Sequence, residues 1–85
     1  MKIKDSDFWL VPDVRPFGVS RTVETFIKKY TRLNPYENKD GVTEYYPLFF
    51  VEQQSFFIGL PVSKEEASAM CWQFTLALMK VVCKH

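Results

Sequence analysis

The residue types that ordinarily carry catalysis are few in this chain and badly placed. Its one His, His85, stands last, two residues beyond Cys83, and the other Cys is Cys71. A Cys–His dyad needs thiol and imidazole within hydrogen-bond reach. Cys83 and His85 fall on different faces of a helix, at a chain end where helices fray. A zinc site needs about four Cys or His ligands, more than the sequence supplies. None of the three Gly residues belongs to a phosphate-cradling loop. Glu65 and Glu66 are adjacent carboxylates, but a helix start accounts for them through its dipole. Ser20 and Ser55 have no candidate base. The expectation is a protein without enzymatic activity, with no catalytic, cofactor-binding or metal-ligating residues and no cofactor.

Binding chemistry is better represented. Fourteen of the 85 residues are aromatic: eight Phe, four Tyr and two Trp. Arg15, Arg21, Lys28, Lys29 and Arg32 form a basic segment with Tyr30 among them. Aromatic rings between cations suit single-stranded nucleic acid, and an exposed Phe or Tyr of a hairpin could stack on bases. A nucleic-acid-binding domain using Arg21, Lys28, Lys29, Tyr30 and Arg32 is therefore the alternative function. The charge balance opposes strong binding of this kind. Eleven Lys/Arg against ten Asp/Glu give a net charge of +1, and phosphate neutralisation needs more. Residues 1–33 sum to +3, residues 34–66 to −4 and residues 67–85 to +2. The acidic part offers Glu37, Asp40 and Glu44 to a basic surface on a protein partner.

The most informative segment is the C-terminal one. Ser63 and Glu66 have capping-box spacing, and no Gly or Pro follows within residues 64–85. On a helical wheel Ala67, Met70, Cys71, Phe74, Leu78, Val81 and Val82 share one face, a core stripe. Ala69, Trp72, Leu76, Met79 and Cys83 form a second stripe with 3,4,3,4 spacing, as in an interhelical seam. Ser68 and Thr75 separate the stripes on one side, and Gln73, Lys80 and Lys84 on the other. A helix apolar on two sides must be covered on two sides. Either another element of this chain covers the second stripe, or Ala69, Trp72, Leu76 and Met79 meet a partner protein or a second copy in a homodimer.

The other elements follow from patterning. Phe8–Val14 reads as a short strand, with Pro12 and Pro16 fitting an edge or a turn. Phe17–Ser20 reads as another short strand. Val23, Phe26, Ile27, Tyr30 and Leu33 make a helical stripe, so a middle helix is predicted over residues 22–33, with Thr22 as its N-cap. The β-branched residues of the same segment support an alternative, a four-stranded meander with one helix. Residues 34–41, with Asn-Pro and Asp-Gly, read as loop. Residues 42–60 read as a hairpin turning at Glu52-Gln53-Gln54, with Pro47 at an edge or a bulge. The predicted fold is α+β: one domain over residues 1–85, a small antiparallel sheet packed against a long C-terminal helix over residues 64–83.

Phe8–Val11 is too short for a signal-peptide core, and no apolar run reaches the roughly 18 residues of a membrane span. Cys71 and Cys83 would lie about 18 Å apart along one helix, beyond disulfide reach. The reading is therefore cytoplasmic, with reduced thiols and no membrane partner.

Ser55-Phe56-Phe57-Ile58-Gly59-Leu60 followed by Ser63-Lys64-Glu65-Glu66-Ala67 resembles the hairpin-plus-helix of AP2-like DNA-binding domains, over about a fifth of the chain. Here Phe, Leu and Gln stand where that family's sheet carries Arg and Trp for base contacts. The small, aromatic-rich chain is also similar in type to phage- or mobile-element-encoded anti-defence proteins of the anti-CRISPR kind. That resemblance implies a stoichiometric inhibitor of a host nuclease or nucleic-acid-surveillance complex, acting in the host cytoplasm. The function expected first is a non-enzymatic protein-interaction module.

Overall fold

The computed structural model describes residues 9–82. Phe8, Cys83, Lys84 and His85, which entered the sequence reading, lie outside the described residues. The architecture is α+β. Helix α1 (Arg21–Tyr30) leads into a three-stranded antiparallel sheet of β1 (Thr31–Glu37), β2 (Thr43–Val51) and β3 (Gln54–Phe57), in the order β1-β2-β3. Helix α2 (Lys64–Val82) follows and packs against the sheet.

The first described stretch is not a pair of strands. Leu10 forms an isolated antiparallel bridge with Leu33, and Arg15–Phe17 make a 3-10 turn closed by Gly18 in the left-handed region. Pro16 suits that turn because its φ is already helical.

Helix α1 is shorter than its apolar periodicity predicts. Ser20, not Thr22, caps it, its hydroxyl accepting from the Val23 N–H at 3.3 Å. The helix ends at Tyr30, and Thr31 takes an extended conformation. The Thr31 N–H donates to the Ile27 carbonyl as the last i→i−4 bond of the helix, and its Oγ1 donates to the same carbonyl at 2.6 Å. Leu33 continues the helical stripe by number alone. It is buried as a strand residue, two places beyond buried Thr31 on the same sheet face.

The predicted loop at residues 34–41 is thus half strand. Pro35 does not break β1, because Leu33 already turns its N–H and C=O outward to Leu10. Backbone groups alternate sides, so the Pro35 nitrogen also faces outward and no β1–β2 bond is missing. The turn proper runs from Asn38 to Val42. Asn38 Oδ1 accepts from the N–H groups of Asp40 and Val42 at 2.9 and 3.0 Å, and Gly41 supplies φ 79°.

Pro47 stands in the central strand rather than at an edge. It pairs with Leu33 on the β1 side without hydrogen bonds, and its carbonyl accepts from the Ile58 N–H at 2.7 Å. Its missing N–H therefore faces the β3 side, where β3 has ended. The β2–β3 connection is tight, since Val51 pairs with Gln54. Glu52 sits there at φ 57°. A side chain in that region costs about 1–2 kcal/mol. Glu52→Gly is expected to raise stability by up to about 1 kcal/mol, read as a higher urea midpoint with unchanged slope.

Helix α2 starts as its sequence predicts, with Ser63 Oγ accepting from the Glu66 N–H at 3.2 Å. Ala67 and Cys71 pack with Leu33, Tyr45, Ile58 and Val62, and the Phe74 ring lies 5.1 Å from that of Phe49. Val81, assigned to this stripe, is instead 73% exposed. Ser68 and Thr75 are fully buried. They are the midline of one wide buried arc, with the sheet on one side and α1 on the other. Ser68 Oγ accepts from the Asp13 N–H at 3.2 Å, and Thr75 Oγ1 donates to the Cys71 carbonyl at 2.9 Å.

Candidate interaction surface

The second stripe of α2 is partly covered from within the chain. Trp72, Leu76 and Met79 pack, as Val19 does, against the cluster of Val14, Val23 and Ile27, and Trp72 also meets Phe17 with ring centroids 5.9 Å apart. Ala69 beside them is half-buried. Trp72, Leu76 and Met79 thus meet α1 and the segment before it instead of standing fully open, while all four residues of the row keep part of their surface in solvent. The aromatic series Phe26–Tyr30–Phe49–Phe74, at 4.6, 6.3 and 5.1 Å, then ties α1 across the inner sheet face to α2.

The cationic candidates are dispersed. Arg21, Lys29 and Tyr30 line a groove of about 510 Å³ with Thr22, Thr25, Phe26 and Met79. Lys29 Nζ stands 5.2 Å from the Tyr30 ring centroid. Lys28 lies on another side of α1, paired with Glu24 at 2.8 Å. That pairing, through the hydrogen bond first and the charge second, holds the Glu24 carboxyl below its ordinary pKa. Arg32 is on the sheet, with Nη1 donating to the carbonyls of Lys28 and Thr31 at 2.5 and 2.6 Å. It neutralises the C-terminal end of α1. These residues do not form one basic stripe.

What remains open is the outer face of the sheet. The register puts Arg32, Asn34 and Tyr36 of β1, Glu44, Tyr46, Leu48 and Phe50 of β2, and Ser55 and Phe57 of β3 on this side, opposite α2. Tyr36, Tyr46 and Phe57 form a row across all three strands, with ring centroids 5.6 and 4.7 Å apart. Tyr36 is 42% and Phe57 66% exposed. Farther along the face Trp9 meets Phe50 edge-on at 5.9 Å, and Leu48 is closed to solvent. Of the acidic candidates, Glu44 lies directly opposite Tyr36 in the ladder and accepts from Asn38 Nδ2 at 3.2 Å. Glu37 ends β1 beside Tyr36, and Asp40 is exposed in the turn between them. Of the three, Glu44 alone shares the face of the aromatic row; Glu37, paired with Thr43, falls on the opposite face, and Asp40 lies in the turn at the same end of the sheet. Sequence reasoning missed Tyr36 by placing it in a loop. The available signal was its alternation with Asn34 and Arg32, a period of two that Pro35 conceals.

The remaining nucleophile is enclosed. Cys71 is fully buried, and burial pushes its thiol from an ordinary 9.0 up to about 12, against a smaller opposing pull from Thr31 and the Leu48 backbone. A neutral buried thiol is a poor nucleophile. Among the described residues no three His, Cys, Asp or Glu side chains are grouped so as to hold a metal ion. No described helix is long and apolar enough to cross a membrane. Comparison of the chain with protein-family models, curated proteins and solved structures finds no match.

Proposed function

We propose that this protein is a non-enzymatic interaction module that binds another protein through the outer face of its sheet. The observation carrying this reading is the exposed Tyr36–Tyr46–Phe57 row with Glu44 beside it. Tyr and Phe are effective anchors because they bury much apolar area at small entropic cost. The Glu44 carboxylate at one end selects the partner's charge. Phosphates placed along this row would meet Glu44, whereas a protein with an apolar strip and a basic flank would be complementary to both features. Proteins that handle nucleic acid present such flanks. A stoichiometric inhibitor of a host nuclease or surveillance complex, of the anti-CRISPR type, acts by occupying one. The setting is then the host cytoplasm, where Cys71 remains a thiol.

The test is affinity capture from host lysate, followed by reconstitution with the captured protein, using Tyr36→Ala and Phe57→Ala. Loss of an anchor residue costs about 2 kcal/mol or more, so each variant is expected to bind roughly 30-fold less tightly while keeping its circular dichroism. Lys28→Glu with Lys29→Glu is expected to bind as the parent does. The reading fails if the protein instead binds a single-stranded oligonucleotide with a steep salt dependence and the Lys28/Lys29 variant abolishes it.

A further inference from the structure

The aromatic row of the outer face has a shape that narrows what can bind it. Neighbouring ring centroids of Tyr36, Tyr46 and Phe57 stand 5.6 and 4.7 Å apart. Rings at these distances already touch, so no side chain or cation enters between them. A ligand must lie along the strip. The strip is roughly 10 Å long, the length of one polyproline II turn, three residues at about 3.1 Å each.

The polar groups on the strip point to the same kind of ligand. Among the described residues, side-chain hydrogen bonds on this face run only from Arg32 to the Lys28 and Thr31 carbonyls and from Asn38 to Glu44. The Tyr36 and Tyr46 hydroxyls and the Asn34 amide, on the same face, are thus donors with no acceptor among the described residues. A bound α-helix uses its own carbonyls and would leave these donors covered and unmet. A polyproline II segment has no internal hydrogen bonds, so its carbonyls stay free to accept. Its conformation is also set before binding, which reduces the entropy lost on an aromatic surface.

Charge distinguishes the two ends. Glu44 lies directly opposite Tyr36 and accepts from Asn38 Nδ2, and the one ion pair among the described residues is Lys28–Glu24, so Glu44 has no cation there. At the Phe57 end, residues 53–60 carry no charge.

We infer that the segment held by this face is a proline-rich stretch in polyproline II conformation. Two prolines three residues apart lie over Tyr36 and Phe57, and an Arg or Lys follows at the Tyr36 end, where its cation meets Glu44. The inference rests on the reading that the outer face binds protein, and it names the part of the partner that is bound.

Calorimetric titration with synthetic peptides tests this. The probe is a short capped peptide with Pro at every third position and one terminal Arg. Its controls carry Ala for every Pro, or Glu for the Arg. The parent is expected to bind the probe and to bind each control about tenfold less tightly or worse. Tyr46→Phe keeps the ring and deletes one donor, and is expected to weaken the probe about fivefold. Glu44→Gln is expected to erase the preference for Arg over Glu, and Glu44→Lys to invert it. If Glu44→Lys does not fold, Glu44→Gln decides. The inference is overturned by a probe that fails to bind even at millimolar concentration. It is equally overturned by an Ala control, the better helix former, that binds as well as the probe, or by an Arg preference that survives the folded Glu44 variants. If that happens while Tyr36→Ala and Phe57→Ala still release the captured partner, the interaction face stands and only its ligand class falls. If the probe behaves as expected while both Ala variants keep the captured partner, the ligand class stands and that partner is bound elsewhere.

Discussion

Trp72→Glu is expected to abolish the fold, not to leave a folded monomer with a silenced surface. The indole is packed between Phe17 and the Val14, Val23 and Ile27 cluster. Removing a fully buried Trp costs about 3–5 kcal/mol in packing alone, and the half-buried Trp72 falls toward the lower end of that range. A carboxylate in its place adds the cost of burying charge with no cation to meet it. The whole stability of an 85-residue domain is about 4–13 kcal/mol, so the sum is of the same size. Trp72→Phe should behave very differently. The indole Nε1 is buried with no hydrogen-bond partner among the described residues, so losing it leaves no described acceptor unpaired. A change of less than about 1.5 kcal/mol is expected. Far-ultraviolet circular dichroism and urea titration distinguish the two. A helical Trp72→Glu protein with the parent's urea midpoint would show that α1 does not cover this row.

The second large effect is on alkaline stability. The Cys71 thiol titrates at about 12 when folded, against an ordinary 9.0. A raised value for an acid means that the folded state resists ionisation. As pH rises through 9 the unfolded chain releases this proton first and gains stability. The contribution of the buried neutral thiol is complete below pH 9 and is lost between pH 9 and about 12, at up to about 1.4 kcal/mol per pH unit. Urea midpoints measured across that interval should fall, and Cys71→Ala should flatten the fall even though it lowers the midpoint at neutral pH. A Cys83→Ser background leaves Cys71 as the one thiol. Its reaction with a disulfide reagent should be slowed on the order of a thousandfold or more, because attack waits for the fold to open. Slopes that match with and without Cys71 would contradict its burial.

Much of this arrangement was legible in the sequence where a local signal and the tertiary demand coincide. Ser63 and Glu66 announced the start of α2, Asp40-Gly41 a turn, and residues 42–60 a hairpin. The end of α1 was not legible. Val23, Ile27, Tyr30 and Leu33 fit a helical period, but Thr31 and Leu33 also fit a period of two, and only pairing with Phe49 and Pro47 decides between them. Ser68 and Thr75 misled because a polar row suggests water, whereas their hydroxyls bond to Asp13 and Cys71 and lie in the middle of the core. For the candidate site, Glu37, Asp40 and Glu44 could be named from charge alone. The aromatic row beside them could not, because it exists only once Tyr36, Tyr46 and Phe57 from three strands share a face.

The direct passage from α1 into β1, Tyr30 to Thr31 with no linker, bears on the order in which the molecule assembles. Each strand pairs with its neighbour in the chain, so the meander closes only short loops at small entropic expense. The contact between α1 and α2 joins segments about fifty residues apart, as the Asp13–Ser68 bond does across 55. Such distant contacts form late because their loop closure is rewarded last. With no flexible joint between them, α1 is carried toward its place by the growth of β1 on β2. The search for the longest-range contact thus becomes the swing of a rigid arm.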